Sequence, residues 1–220
     1  MTCNKCNQPY RLEHPINFSC TMTVSLLVST YNWPRALYLC LDSVMQQTVL
    51  PDEILIADDG SGMATRDVVR HFERISPVPM RHIWHEDRGF RVATIRNKAI
   101  AASTCDYIIQ IDGDLILERH FVQDHILFAK PGCYVSGSRG IITEPLTRQV
   151  LSGAITSLSA LTKGVRCSNN VMRIPFMAII YRKIAGSKSP RSCNMALWRE
   201  DAIRVNGYDE SFEGWGYEDT

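Results

Sequence analysis

Long apolar runs are missing from this chain; none approaches the roughly 20 residues that a membrane-spanning helix needs. An excess of charge of either sign is missing too. The 24 Lys and Arg residues stand against 23 Asp and Glu, a formal net charge of +1, without the basic surplus expected of a nucleic-acid binder. No Gly-x-Gly-x-x-Gly follows the first strand pattern, and no Walker-type Gly-Lys-Ser/Thr occurs. That disfavours a dinucleotide fold of the usual kind and a P-loop ATPase. No Gly-x-Ser-x-Gly elbow marks a hydrolase nucleophile. The polar start, Met1-Thr2-Cys3-Asn4-Lys5-Cys6, has no signal-peptide apolar core, so the expected compartment is the cytoplasm. The cysteines lack a standard zinc framework: Cys3-x-x-Cys6 is followed by His14 and Cys20, not by a second pair at a usual spacing. In a cytoplasmic chain they are expected as free thiols, with Cys40, Cys105 and Cys133 as small core residues.

What is present suits one globular domain with a real core: 220 residues, 45% of them hydrophobic. Residues 1–21 carry neither helical nor strand periodicity and read as an N-terminal extension. Residues 22–220 read as the folded domain. Strands are expected at Thr23–Ser29, Glu53–Ala57, Met80–Trp84, Tyr107–Ile111 and Cys133–Ser138. Helices are expected from Pro34 to about Gln47, at Thr65–Ile75, Arg91–Ser103 and Glu118–Ala129, with a helical turn or two at Arg199–Val205. Leu37, Leu41, Val44 and Met45 form the buried stripe of the first helix; Val68, Val69, Phe72 and Ile75 form that of the second. Residues 139–192 are basic and lack clear periodicity, which suits either an acceptor-facing loop or a solvated basic face. Strands alternating with helices predict an α/β fold, a mostly parallel sheet with helices on both faces. In such sheets ligands sit beyond the carboxyl ends of the strands.

The polar clusters fall at those ends. Thr30-Tyr31 follows the first strand, Asp58-Asp59-Gly60-Ser61 the second, and Asp112-Gly113-Asp114 the fourth. Asp112 and Asp114 lie two apart, so in an extended backbone their carboxylates share a side. Gly113 between them lets a ligand approach closely. Two hard oxygens side by side suit Mg2+ or Mn2+, which take one or two carboxylates plus substrate phosphates; the bland alternative is a solvated Asp-Gly turn. Tyr31 can stack on a base, Asp58 can accept from a base N–H or a ribose hydroxyl, and Arg96 can reach a phosphate. A metal on a diphosphate stabilises it as a leaving group. A nearby carboxylate can then take the proton of an incoming hydroxyl, and Glu218-Asp219 is the candidate pair. Gly214-Trp215-Gly216 before it supplies an aromatic wall for a sugar, although Trp215 also suits a core and the acids also suit a helix first turn.

As an ordered set, five stretches resemble glycosyltransferase family 2: Val24 to Pro34, Ile56-Ala57-Asp58-Asp59-Gly60-Ser61, Arg96-Asn97-Lys98-Ala99, Ile111-Asp112-Gly113-Asp114, and Asn206-Gly207-Tyr208-Asp209-Glu210 with Gly214 to Asp219. The tail also resembles a galactosyltransferase-type segment, Gly-Trp-Gly-x-Glu-Asp. The resemblance implies a GT-A fold over residues 22–220 and inverting transfer from a nucleotide-diphosphate sugar, a UDP-sugar in the first instance, to a glycan or lipid-linked acceptor. It implies Thr30, Tyr31, Asp58, Arg96 and Asp112 at the nucleotide, Asp114 on Mn2+ or Mg2+, Trp215 and Gly216 at the sugar, Asp219 as base and Glu218 as its orienting partner. It further implies a setting in bacterial surface polysaccharide or lipooligosaccharide synthesis, with peripheral contact at the inner face of a membrane. The family continues past the acidic pair with a helix and often another metal ligand, whereas this chain stops at Thr220; the expected domain is thus C-terminally truncated. The rival readings are a nucleotide-sugar-binding fragment without turnover and a sugar nucleotidyltransferase.

Overall fold

A central strand flanked on both sides must be apolar throughout. Val24–Thr30, Val-Ser-Leu-Leu-Val-Ser-Thr, meets that requirement as β1 and is buried at every position. The computed structural model describes residues 22–173 and 192–211. After β1 come α1 (Pro34–Met45), β2 (Glu53–Asp58), α2 (Met63–Ile75), β3 (Met80–Trp84), α3 (Val92–Ala102) and β4 (Tyr107–Asp112). Then follow α4 (Phe121–Phe128), β5 (Val135–Ser136), β6 (Ile141–Ile142), α5 (Glu144–Leu151) and β7 (Val165–Arg166). From residue 192 on lie β8 (Asn194–Trp198) and α6 (Arg199–Arg204). The main sheet runs β3-β2-β1-β4-β8-β5. β1 pairs in parallel with β2 and β4, and β2 with β3. β8 runs antiparallel to both β4 and β5. β6 and β7 form a separate antiparallel ribbon.

Helices cover both faces, as expected. On one side Leu26, Val28, Ile54, Ile56 and Ile109 meet Leu37, Leu41 and Val44 of α1, Val69 and Phe72 of α2 and Val122 of α4. On the other Leu27, Leu55, Ala57 and Ile108 meet Ile95, Ala99 and Ile100 of α3 and Ala202 of α6. The period-2 alternation of β1 feeds the two layers in turn. α1 starts where its sequence says: Pro34 occupies the first turn, whose N–H groups have no helical partner.

The departures are local. Ile75 is 56% exposed, so the buried face of α2 ends at Phe72 and its last residue has left the core. α4 starts at Phe121 because Glu118 closes a turn of its own, accepting from the His120 N–H at 2.7 Å on its carboxylate and from the Phe121 N–H at 3.0 Å on its carbonyl. The fifth expected strand shrinks to Val135–Ser136, which pairs with β8 alone. Cys40 and Cys105 are buried free thiols and Cys167 is an exposed one. Cys133 is buried but disulfide-bonded, against the free-thiol expectation. The N-terminal extension and the Cys3, Cys6, Cys20 and His14 group lie outside the described residues. No helix among the described residues is long and apolar enough to cross a membrane.

Candidate active site at the switch point of the sheet

From β1 the chain steps outward to β2 and β3 on one side and to β4 on the other, so strand order reverses at β1. Such a switch point opens a crevice at the carboxyl ends. The register delivers the expected residues there: Thr30 lies opposite Asp58, and Ser29 opposite Asp112. β2 and β4 flank β1, so their ends stand only about 10 Å apart, two inter-strand spacings. The acids from distant segments therefore meet at one rim.

β4 ends at Asp112, and Gly113-Asp114 already turn. Shared sidedness in an extended backbone is thus not what joins the two acids. The turn closes with the Leu115 N–H donating to the Asp112 carbonyl at 3.3 Å. The need for Gly113 also differs from expectation. Its N–H donates to the Ser29 carbonyl at 2.7 Å, and a Cβ there would sit 2.9 Å from that oxygen and 3.3 Å from both Leu37 Cδ1 and Thr30 Cβ. The close neighbour is the protein's own first strand. Arg96, 3% exposed, donates to Ser29 Oγ and Asp112 Oδ1, each at 3.2 Å. Arg139 brings a second guanidinium to 4.0 Å from Asp112 Oδ2. Burial pushes the Asp112 carboxyl above its usual value, with Arg96 pulling the other way and Asp114 adding to the rise. Asp114 itself is exposed.

On the other side of β1 the acids are committed to the protein. Asp58 is fully buried; the Ser61 N–H donates to Oδ1 at 2.8 Å, and His82 Nε2 lies 2.8 Å from Oδ2. Burial works against its ionisation, but the hydrogen bonds from His82 and Ser61 outweigh it and hold the carboxyl low. In this arrangement Asp58 frames the crevice. Asp59 holds His85 Nε2 at 2.6 Å and accepts from the Arg91 N–H at 2.9 Å, while Lys98 Nζ lies 3.3 Å from His85 Nδ1. The loop after β3 is thereby folded onto the turn after β2. Gly60 is obligatory at that crossing: its φ is +99°, and a Cβ would fall 2.5 Å from the Asp87 Cα. Tyr31 is 51% exposed and donates to Asp87 Oδ2 at 2.9 Å, a bond that raises the phenol.

His82, His85, Asp87, Arg91 and Arg139 were not picked out by sequence reasoning. The acidic turn was visible as a segment; its pairing with the loop after β3 was not. Trp215, Gly216, Glu218 and Asp219 lie outside the described residues. Among the described residues no group of three or more His, Cys, Asp or Glu could hold a metal ion. Asp112 and Asp114 do fit one whose remaining ligands are phosphate oxygens and water, the usual state of Mg2+ in such sites.

Comparison with known proteins agrees with this geometry. Residues 25–187 match the model of glycosyl transferase family 2, and residues 181–220 match that of the N-terminal domain of galactosyltransferase. The chain is 27% identical to validoxylamine A glucosyltransferase of Streptomyces hygroscopicus subsp. limoneus over 89% of this chain and 46% of the relative. It is 22% identical to chondroitin synthase of Escherichia coli over 90% of this chain and 31% of the relative. The chain thus spans less than half the length of these relatives. Among solved structures, a mannosyltransferase from Pyrobaculum calidifontis in complex with GDP-Man and Mn2+ superposes with a TM-score of 0.60, at 20% identity, over 87% of this chain and 49% of that one. S. aureus TarS 1–349 in complex with UDP gives a TM-score of 0.54, at 17% identity, over 90% of this chain and 53% of that one. The fold is of the GT-A type, and the chain belongs to glycosyl transferase family 2.

Proposed function

We propose that this glycosyltransferase moves a sugar from a nucleotide-diphosphate donor, a UDP-sugar in the first instance, to a glycan or lipid-linked acceptor, with inversion at the anomeric carbon. The observation that carries the reading is the Asp112-Gly113-Asp114 turn at the switch point, beside the buried Arg96, with the exposed Tyr31 just past the end of β1. Thr30 and Tyr31 receive the base and ribose, and Arg96 and Arg139 offer cations to the diphosphate. Asp58 holds the floor through Ser61 and His82. Asp112 and Asp114 hold Mn2+ or Mg2+, which when bound neutralises charge on the departing diphosphate. Asp219 takes the acceptor proton and Glu218 orients the sugar against Trp215 and Gly216. A single displacement opposite the leaving diphosphate gives the inversion. The metal and nucleotide in the Pyrobaculum calidifontis complex support the donor class, and the chondroitin synthase relative supports a growing glycan as acceptor in surface-polysaccharide assembly.

The test is calorimetric titration with UDP- and GDP-sugars, with Mn2+ and then with EDTA. Binding is expected with metal and at least about tenfold weaker without it, and Asp114→Ala is expected to lose the metal-dependent part. Equal affinity of wild type and Asp114→Ala under both conditions would refute the metal site. Donor binding without any transfer to glycan acceptors would favour the binding-fragment reading instead.

A further inference from the structure

Two stretches of the sequence have no part in this chemistry: Asn97, next to Arg96, and the segment Asn206-Gly207-Tyr208-Asp209-Glu210. The fold brings them together across 111 residues of sequence. Asn97 Nδ2 donates to the Tyr208 carbonyl at 2.8 Å, and Asn97 Oδ1 accepts from the Tyr208 N–H at 2.8 Å. One side-chain amide thus satisfies both backbone polar groups of one residue, as a neighbouring strand would. The same Nδ2 donates to Glu210 Oε1 at 2.8 Å, and Thr94 Oγ1 donates to Glu210 Oε2 at 3.2 Å. Gly207 is shaped to this joint: its φ is +68°, and a Cβ would fall 2.3 Å from Asn97 Oδ1.

The joint leads back to the donor crevice. The Tyr208 ring lies 5.6 Å from the Arg96 guanidinium carbon, within cation–π range. The Tyr208 hydroxyl donates to Gln110 Oε1 of β4 at 3.2 Å. Arg96 in turn holds Asp112 and Ser29. We propose that Asn97 is a positioning residue for the donor site: it pins Tyr208, whose ring keeps Arg96 seated on Asp112. The proposal rests on the nucleotide-sugar reading above. It assigns the family-like Arg96-Asn97 pair two separate tasks, a donor contact and a clamp on the loop whose Tyr208 ring lies beside Arg96.

Asn97→Asp keeps an acceptor for the Tyr208 N–H but turns a carboxylate oxygen toward both the Tyr208 carbonyl and Glu210. Adding Glu210→Gln gives that oxygen a donor again. Asn97→Asp is expected to weaken metal-dependent nucleotide-sugar binding about tenfold, the worth of one charge-sensitive hydrogen bond. The pair Asn97→Asp with Glu210→Gln is expected to recover part of it, since the Tyr208 carbonyl stays without its donor. Hydrogen exchange at the Tyr208 amide is expected to quicken in the first and slow again in the second. Tyr208→Leu, which leaves the backbone clamp in place, is expected to weaken binding by a similar factor because the ring is the transmitting part. Wild-type affinity in Asn97→Asp or in Tyr208→Leu would overturn the inference, as would a double variant no better than the single. If the wild type binds no nucleotide sugar, the proposed function falls first; if it binds and the variants bind equally, only the positioning role falls.

Discussion

Replacing Gly113 by alanine perturbs both packing and chemistry at one atom. The new Cβ would sit 2.9 Å from the Ser29 carbonyl oxygen, with Leu37 Cδ1 and Thr30 Cβ at 3.3 Å. The nearest atom is backbone in the middle of the sheet, so no side chain can swing aside. Overpacking of this kind costs about 1–3 kcal/mol. Lengthening the 2.7 Å bond from the Gly113 N–H to Ser29 adds about 0.5–1 kcal/mol. The reduced freedom of the unfolded chain returns about 0.4–1 kcal/mol. The net expectation is a loss of about 1–3 kcal/mol, read as a lower urea midpoint at unchanged slope. The relief must come from moving the turn away from β1, which displaces Asp112 and Asp114 together. Metal-dependent donor affinity is therefore expected to fall about tenfold, while metal-independent nucleotide binding, carried on the Tyr31 side, changes little. A Gly113→Ala protein within about 0.5 kcal/mol of wild type and with unchanged affinity would refute the link between strand packing and the acid pair.

Acid stability tests a different buried carboxylate. Burial pushes Glu53 up, but Ser25 Oγ at 2.6 Å, the Thr104 N–H at 2.8 Å and Arg81 Nη2 at 2.6 Å outweigh it and bring the group down to about 2 from 4.5. A folded value below the unfolded one contributes stability that is present above about pH 4.5 and is lost as pH falls toward 2, about 3 kcal/mol in all. Urea midpoints at pH 5.5 and pH 3 should differ less for Glu53→Gln than for wild type; equal differences would sink the assignment. For the proposed base, Asp219→Asn is expected to bind donor and metal as wild type does and to lose transfer by about 100-fold or more. Normal transfer rates in that variant would remove Asp219 from the role.

The parallel half of the sheet was legible because its information is local. β1, β2 and β4 are apolar runs bounded by turn residues, and Pro34 and Pro51 mark the ends between them. The antiparallel β8 is absent from the expected strands. Its partner, Tyr107 against Trp198, is 91 residues away, and nothing within five residues encodes direction. The same distance hides the buried pairs. Asp58 with His82 and Asp59 with His85 join residues 24 and 26 apart in sequence, so each reads alone as a polar surface residue. The strand-end position of Asp58 was legible; that His82 and Ser61 occupy both its oxygens was not.

That gradient of burial across the rim bears on where a cation goes. Asp58 is fully buried and ligated by the protein on both oxygens. Asp112 is partly exposed and shared with Arg96, with Arg139 near its second oxygen. Asp114 stands exposed at the turn. A divalent ion such as Mg2+ sheds its water reluctantly and keeps several of its waters when bound, so it must enter from the wet end of this series. On the proposed reading it meets Asp114 first and then competes with the two guanidiniums for Asp112. Burial raises Asp112 although Arg96 and Arg139 offset it in part, and a cation of charge +2 offsets it further. On that same reading the arginines freed in part by the exchange would be offered to the donor's diphosphate, so metal and nucleotide are expected to strengthen each other's binding by the same factor. Titrating Mn2+ with and without UDP, and UDP with and without Mn2+, measures both sides of that square; independent binding of the two would mean that Asp112 is not the shared ligand.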